Sequence, residues 1–145
     1  MDLVTGGTGI VGAHVLLELT MTGKPVRALA RPKSDRTILT RIFKHYQPDR
    51  VDELLSRINW FEGDLDSPGA LEDAMVGVRN VYHAAAMISF DPRDARTMHK
   101  VNVEGTANVV NAALIAGITR LCFVSSIAAI GEAPGHVERD ETLPW

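Results

Sequence analysis

Short apolar runs alternate with longer stretches of helical spacing along the whole chain. Residues 3–5, 26–30, 58–61, 78–83 and 121–125 have the length and the apolar, β-rich content of strands. The spacing between them predicts helices at about 10–22, 35–45, 50–57, 69–75 and 93–116. In the first helix Val11, Val15 and Leu19 recur four apart and mark the expected inward face. In the last, Val101, Gly105, Val109, Ala112 and Ala116 form a face of small side chains that would let the helix lie close to a sheet. Ser34 and Asp35 can cap the second helix, Ser67 followed by Pro68 reads as an N-cap with proline at N1, and Gly117 reads as a helix stop.

Alternation of this kind implies an α/β fold, a doubly wound parallel sheet of the Rossmann type with strand order 3-2-1-4-5. Its ligand crevice would open beyond the carboxyl ends of the first and fourth strands. The turn that leaves the first strand there reads Thr5-Gly6-Gly7-Thr8-Gly9-Ile10-Val11-Gly12. Glycines at Gly6 and Gly9 let backbone approach a diphosphate, Gly12 lets the following helix pack tightly, and the free N–H groups of that helix start would face the anion. The spacing is G-x-x-G-x-x-G and departs from the G-x-G-x-x-G fingerprint of dinucleotide sites, so a tight turn without a ligand stays open on the motif alone.

Composition narrows the class. A chain of 145 residues with 46% hydrophobic and 23% charged residues suits one soluble domain spanning residues 1–145. A net charge of −3, with cations scattered except between Arg31 and Arg36, argues against nucleic acid or an anionic membrane as partner. No apolar run approaches the ~18 residues of a membrane span, and no leader-like segment opens the chain. The single cysteine, Cys122, is expected buried in its strand, and a cytoplasmic location is expected. No Cys/His cluster has ligand spacing, so no metal is expected, and His14, His83 and His99 read as packed or helical residues.

Further landmarks come in order along the chain: Ala30-Arg31, Gly63-Asp64-Leu65, His83-Ala84-Ala85-Ala86, Asn102-Val103-Glu104-Gly105-Thr106, and Val124-Ser125-Ser126 with Gly131 beyond them. With the glycine turn they make the chain resemble the N-terminal part of an extended short-chain dehydrogenase/reductase, the NAD(P)-dependent epimerase/dehydratase and dihydroflavonol-reductase-like group. The resemblance implies a dinucleotide held by Gly6, Gly9, Ile10 and Gly12. It implies that Asp64 and Leu65 bracket the adenine, that Ala84, Ala85 and Ala86 pass the ribose and pyrophosphate, and that Asn102 helps hold the catalytic arrangement. Ser126, five residues before Gly131, would carry the hydroxyl that bonds the reacting substrate oxygen, with Ser125 the next choice. The end of the second strand has Ala30 and Arg31 where an NAD enzyme has an acid, which favours NADP, with NAD second.

The family's Tyr-x-x-x-Lys pair is not found after the serines, since the only tyrosines are Tyr46 and Tyr82. The expectation is therefore a C-terminally truncated cofactor half, without the Tyr-x-x-x-Lys helix and the substrate domain. The full-length protein would transfer hydride between nicotinamide and a small carbonyl or alcohol substrate, and this chain alone would be nearly inactive. A catalytically silent NAD(P)-binding sensor or scaffold is the alternative. Truncation would also leave an open strand edge and apolar sheet face, through which homo-oligomers are expected to form.

Overall fold

The computed structural model describes residues 1–126 and 129. Its strands are β1 (Asp2–Thr5), β2 (Val26–Ala30), β3 (Ile58–Glu62), β4 (Asn80–His83) and β5 (Arg120–Phe123). All pair in parallel in the order β3-β2-β1-β4-β5, the order expected of the alternating pattern. β1 is central, with Thr5 opposite Leu29 on one side and His83 on the other. The turn after Thr5 therefore leaves between the carboxyl ends of β1 and β4.

Side-chain alternation along the central strands supplies two cores. On one face Val4, Val26 and Ala28 pack with α1 (Ile10–Met21), α2 (Thr37–Tyr46) and α3 (Val51–Ser56), through buried Leu16, Leu17, Leu39, Phe43 and Leu54. On the other Leu3, Leu29 and Val81 pack with α4 (Pro68–Met75) and α6 (Gly105–Ile115), through Leu71, Met75, Val109 and Ala113. Fully burying a leucine or phenylalanine contributes roughly 1.5–3 kcal/mol, so these two layers carry the fold. Gly117 stops α6 as expected, at φ +67°, with Gly117 N–H donating to Leu114 and Ile118 N–H to Ala113. Ser67 and Pro68 do open α4, although the Ser67 hydroxyl makes no capping bond. Asp35 meets the start of α2 by accepting from the Thr37 N–H at 2.8 Å and its hydroxyl at 2.6 Å.

Four expectations are corrected. The inward stripe of α1 is Ala13, Leu16, Leu17 and Thr20, while Val11 is exposed and Val15 and Leu19 lie on its shoulder, because this helix is apolar nearly all round. The single helix over 93–116 is instead a 3₁₀ turn (Pro92–Asp94), α5 (Ala95–His99), a π turn (Lys100–Glu104) and α6. Ala116 is exposed, and Ala113 takes its place in the core. Cys122 is exposed, because β5 is the last strand of the described sheet and all four of its residues are open to solvent.

Candidate functional site

A cleft of about 480 Å³ opens at the carboxyl ends of the strands, a size suited to a small ligand. It brings together eight of the residues singled out in the sequence: Gly6, Gly9, Arg31, Asp64, Leu65, Ala84, Ala85 and Ala86. These come from four separate loops that only the parallel sheet places side by side.

The glycine turn forms the floor, and its glycines differ in what requires them. Gly6 has φ +72°, and a Cβ there would lie 2.5 Å from Ala85 N and 2.6 Å from the Ala84 carbonyl carbon. Gly12 is equally constrained, since its Cβ would fall on the Gly6 carbonyl oxygen and 2.9 Å from Gly7 Cα. Both are demanded by the protein's own packing. At Gly9 a Cβ would meet only the Gly6 oxygen, at an ordinary 3.5 Å, and Gly9 lines the cleft. Its lack of a side chain keeps room for something outside the chain.

Gly9 is also the N-cap of α1, which has no side-chain cap and no acidic residue in its first turn. Most helices of this length satisfy some of their first N–H groups with a Ser, Thr, Asp or Asn side chain. The N-terminus of α1 lacks a side-chain cap, as do those of α3, α4 and α6, but the N-cap of α1 lines the cleft. Ile10, the first residue of α1, is 65% exposed and does not line the cleft with its neighbours.

The β2 exit forms one end. Arg31-Pro32-Lys33-Ser34 closes a turn by the Ser34 N–H donating to the Arg31 carbonyl at 3.1 Å, with Lys33 at φ +60° as position three of a type II turn requires. Arg31 and Ser34 thus both reach the cleft. Arg36 does not, since its guanidinium lies 3.9 Å over the Trp60 ring. Ser34 reads from sequence only as a cap, and its place on the cleft arises from the turn that Pro32 starts.

Asp64 and Leu65 come directly after β3. Asp64 accepts from the Leu65 N–H at 2.7 Å, which holds the carboxylate against its own loop. That loop is braced by the helical segment after β4: Lys100 Nζ reaches Asp66 at 2.7 Å, and Asn108 Nδ2 donates to the Leu65 carbonyl at 2.8 Å. The contact holds the Asp66 carboxyl below and the Lys100 ammonium above their ordinary pKa values, mainly through that hydrogen bond.

The alanines after β4 form the opposite wall, and Asn102 holds the next residue, Met87, in place. Its amide donates from Nδ2 to the Met87 carbonyl and accepts from the Met87 N–H, both at 2.8 Å. Asn102 lies in the π turn, where the helix carries an extra residue. It stands behind the cleft wall without lining it.

His83 is buried and bonded at both nitrogens, Nδ1 to Thr5 Oγ1 at 2.6 Å and Nε2 to Thr106 Oγ1 at 3.0 Å, and it stacks on Phe123. Burial lowers its pKa to about 4, so the ring is a neutral strut between β1, β4 and α6. Sequence reasoning assigns His83 its packed role but misses both threonine partners. Ser125 and Ser126 are exposed beyond the end of β5 and do not line the cleft, and the Ser126 carbonyl accepts from the Ala129 N–H at 2.9 Å. Gly131, which selects Ser126, lies outside the described residues. Neither tyrosine reaches the cleft: Tyr82 packs against the α1 core, and Tyr46 contacts the rings of His14 and His45. Among the described residues no His/Cys/Asp/Glu group could hold a metal ion, and no helix is long and apolar enough to cross a membrane.

Comparison with known proteins points the same way. The model of the NAD dependent epimerase/dehydratase family matches residues 3–145. A Synechocystis sp. protein described as a dihydroflavonol 4-reductase is 37% identical over 139 residues, covering 96% of this chain and 36% of its own length. The crystal structure of gox2253 superposes with a TM-score of 0.80 at 39% identity, over 100% of this chain and 40% of its own. The Thermus thermophilus UDP-glucose 4-epimerase complex with NAD gives a TM-score of 0.75 at 28% identity, over 99% and 43%. The chain thus spans about two fifths of the length of the relatives it matches.

Proposed function

Since the chain belongs to the NAD dependent epimerase/dehydratase family, we propose that it is the cofactor-holding part of an NAD(P)-dependent oxidoreductase or epimerase/dehydratase-like enzyme. The observation that carries this is Gly9, a side-chain-free position that packing does not require, at the uncapped start of α1 on the cleft wall. The donor set fits a dinucleotide: the N–H groups of Ile10 and Val11 at the start of α1 for the diphosphate, a carboxylate at Asp64 for the adenine amino group, and small alanines for the ribose side.

We assign the 2′-phosphate of NADP to Arg31, with Ser34 beside it. The guanidinium offers a planar pair of donors, and β2 ends at Ala30 without the acid that would repel that phosphate. The bound nicotinamide supplies a hydride donor or acceptor at its C4. Around it the chain's own residues position: Asn102 fixes the Met87 backbone and so the ribose-side wall, and Ser126 is the hydroxyl for the reacting oxygen, with Ser125 in reserve. A tyrosine and lysine for proton transfer belong, on this reading, to the full-length protein, which would reduce or oxidise a small carbonyl or alcohol. That no described tyrosine reaches the cleft also keeps the silent sensor as a second reading.

Calorimetry of the chain with NADPH and NADH tests the assignment. NADPH is expected to bind about tenfold more tightly than NADH, equivalent to ~1.4 kcal/mol. Arg31→Ala should remove that preference, and Gly9→Val should weaken both cofactors while the chain still folds, melting somewhat lower because valine is a poorer N-cap than glycine. Binding of neither dinucleotide would refute the whole reading; a preference for NADH would refute the NADP assignment alone.

A further inference from the structure

Charge is unevenly spread along the chain. Residues 31–46 carry Arg31, Lys33, Arg36, Arg41 and Lys44 against a single acid, Asp35, a net charge of +4 within a chain of net −3. All other residues therefore sum to −7. A dinucleotide carries several negative charges, so most of the molecule repels it at long range while this segment attracts it. Several cations elsewhere are paired with acids: Arg50 and Arg57 share Glu53, Arg93 meets Asp91, and Lys100 meets Asp66. Within the basic segment Arg36 lies over Trp60. Among the described residues Arg31, Lys33, Arg41 and Lys44 make no ion pair, and all four are exposed.

The segment starts at the cleft. Arg31 and Ser34 line it, and the turn between them seats Lys33 at φ +60°, a left-handed conformation that favours glycine. Asp35 ties α2 to this turn by accepting from the Thr37 N–H at 2.8 Å and its hydroxyl at 2.6 Å. Along α2, Leu39 and Phe43 are buried, which turns Thr37, Arg41 and Lys44, spaced four and three apart, to the opposite face. At about 1.5 Å of rise per residue, Arg41 stands roughly 6 Å and Lys44 roughly 11 Å along the axis from Thr37. After the two bonds from Thr37, Arg41 also helps to hold the Asp35 carboxyl below its ordinary pKa. Neither Arg41 nor Lys44 lines the cleft.

We propose that this segment is a capture surface for a phosphorylated nucleotide: Arg41 and Lys44 draw the ligand toward Arg31 and set how fast it enters the cleft, without touching it once bound. This rests on the dinucleotide reading above, and it assigns these two residues to the rate of binding where Arg31 is assigned to affinity. Exposed charges about 10 Å from a ligand act on it while the Debye length is about 30 Å, as at about 0.01 M salt, and are screened when it is about 3 Å, as at about 1 M. Steering by such a field raises association rates by roughly 10–1000-fold, whereas dissociation depends on contacts made within the complex. The acid that lines the cleft, Asp64, leaves the neighbouring strand β3, so the field also has a direction and turns phosphate toward Arg31.

The test is stopped-flow association of NADPH with the full chain, comparing the parent with the Arg41→Glu/Lys44→Glu double variant at about 0.01 M and about 1 M KCl. Arg, Lys and Glu have similar helix propensities and both positions are exposed, so α2 is expected to form in the variant. The expected result at low salt is an association rate at least about fivefold lower in the variant, with a dissociation rate within about twofold of the parent. At about 1 M the two association rates should be nearly equal. Equal association rates at low salt would overturn the proposal. A slowing that persists at high salt, or one matched by faster dissociation, would overturn it as well, because either marks a contact with bound NADPH or a disturbed α2. Failure of the parent to bind NADPH at either salt would instead overturn the dinucleotide reading.

Discussion

His83 illustrates how one residue can look like chemistry and serve structure. It lies one position before the alanine wall of the cleft, yet both ring nitrogens are bonded to threonines and the ring is buried. Its pKa of about 4, pushed down from 6.5 by burial, means that the unfolded chain takes up a proton that the folded chain refuses as pH falls between those values. Stability is therefore full above about pH 6.5 and declines below it, by about 2 kcal/mol at pH 5. Urea unfolding at pH 7 and pH 5 should show that loss, and His83→Gln should flatten the dependence whatever its absolute stability. An equal decline in His83→Gln would refute this origin. Asp35, Glu53, Asp66 and Asp91 also have lowered pKa values, each chiefly through a hydrogen bond, and what they contribute to stability is lost as pH falls through the carboxylate range, in His83→Gln as in the parent.

Among the elements, the helical segment after β4 does the most positioning. Lys100, Gly105 and Asn108 brace the Asp64–Leu65–Asp66 loop, while Asn102 holds Met87 on the other side of the cleft. A Cβ on Gly105 would sit 3.0 Å from Leu65 Cβ, so Gly105→Ala must push that loop by a few tenths of an ångström. Asn108→Ala removes one hydrogen bond worth about 0.5–1.5 kcal/mol. If Leu65 flanks the adenine, both substitutions should weaken 2′,5′-ADP and NADPH by the same factor of about three, equivalent to ~0.65 kcal/mol. Unchanged affinity for 2′,5′-ADP would show that the brace is structural only. This segment also marks where legibility in the sequence stops. The strand and helix periods differ enough for the alternation, and hence the sheet order, to be legible. A five-residue π turn inside a helical stretch leaves no comparable pattern, and the pairing of Asn102 with Met87 depends on a tertiary contact. Cys122 is misread for a related reason: an edge strand and a central strand share the same apolar pattern, and only neighbours tell them apart.

For the whole molecule, the two faces are unequally finished. β5 has β4 on one side and no described strand on the other, its Leu121 and Phe123 and the following Val124 are exposed, and so are Leu114 and Ile115 at the end of α6. An open edge next to exposed apolar residues is a template for association. Light scattering of the isolated chain should therefore give a mass that rises above 15.8 kDa with concentration. A constant 15.8 kDa would show that the chain protects its own edge.

The cleft has a further consequence, in the order of events during synthesis and folding. Its floor, the turn at Gly6, is in contact with Ala84 and Ala85, and Thr5 is joined to His83 across 78 positions of chain. The glycine turn therefore emerges from the ribosome long before its wall exists, and no length of chain ending before residue 85 can present the assembled cradle. Closing so long a loop is entropically costly and late relative to local helix formation. On the proposed reading, capture of a dinucleotide would report that β4 has docked beside β1 and would stabilise that long-range pairing.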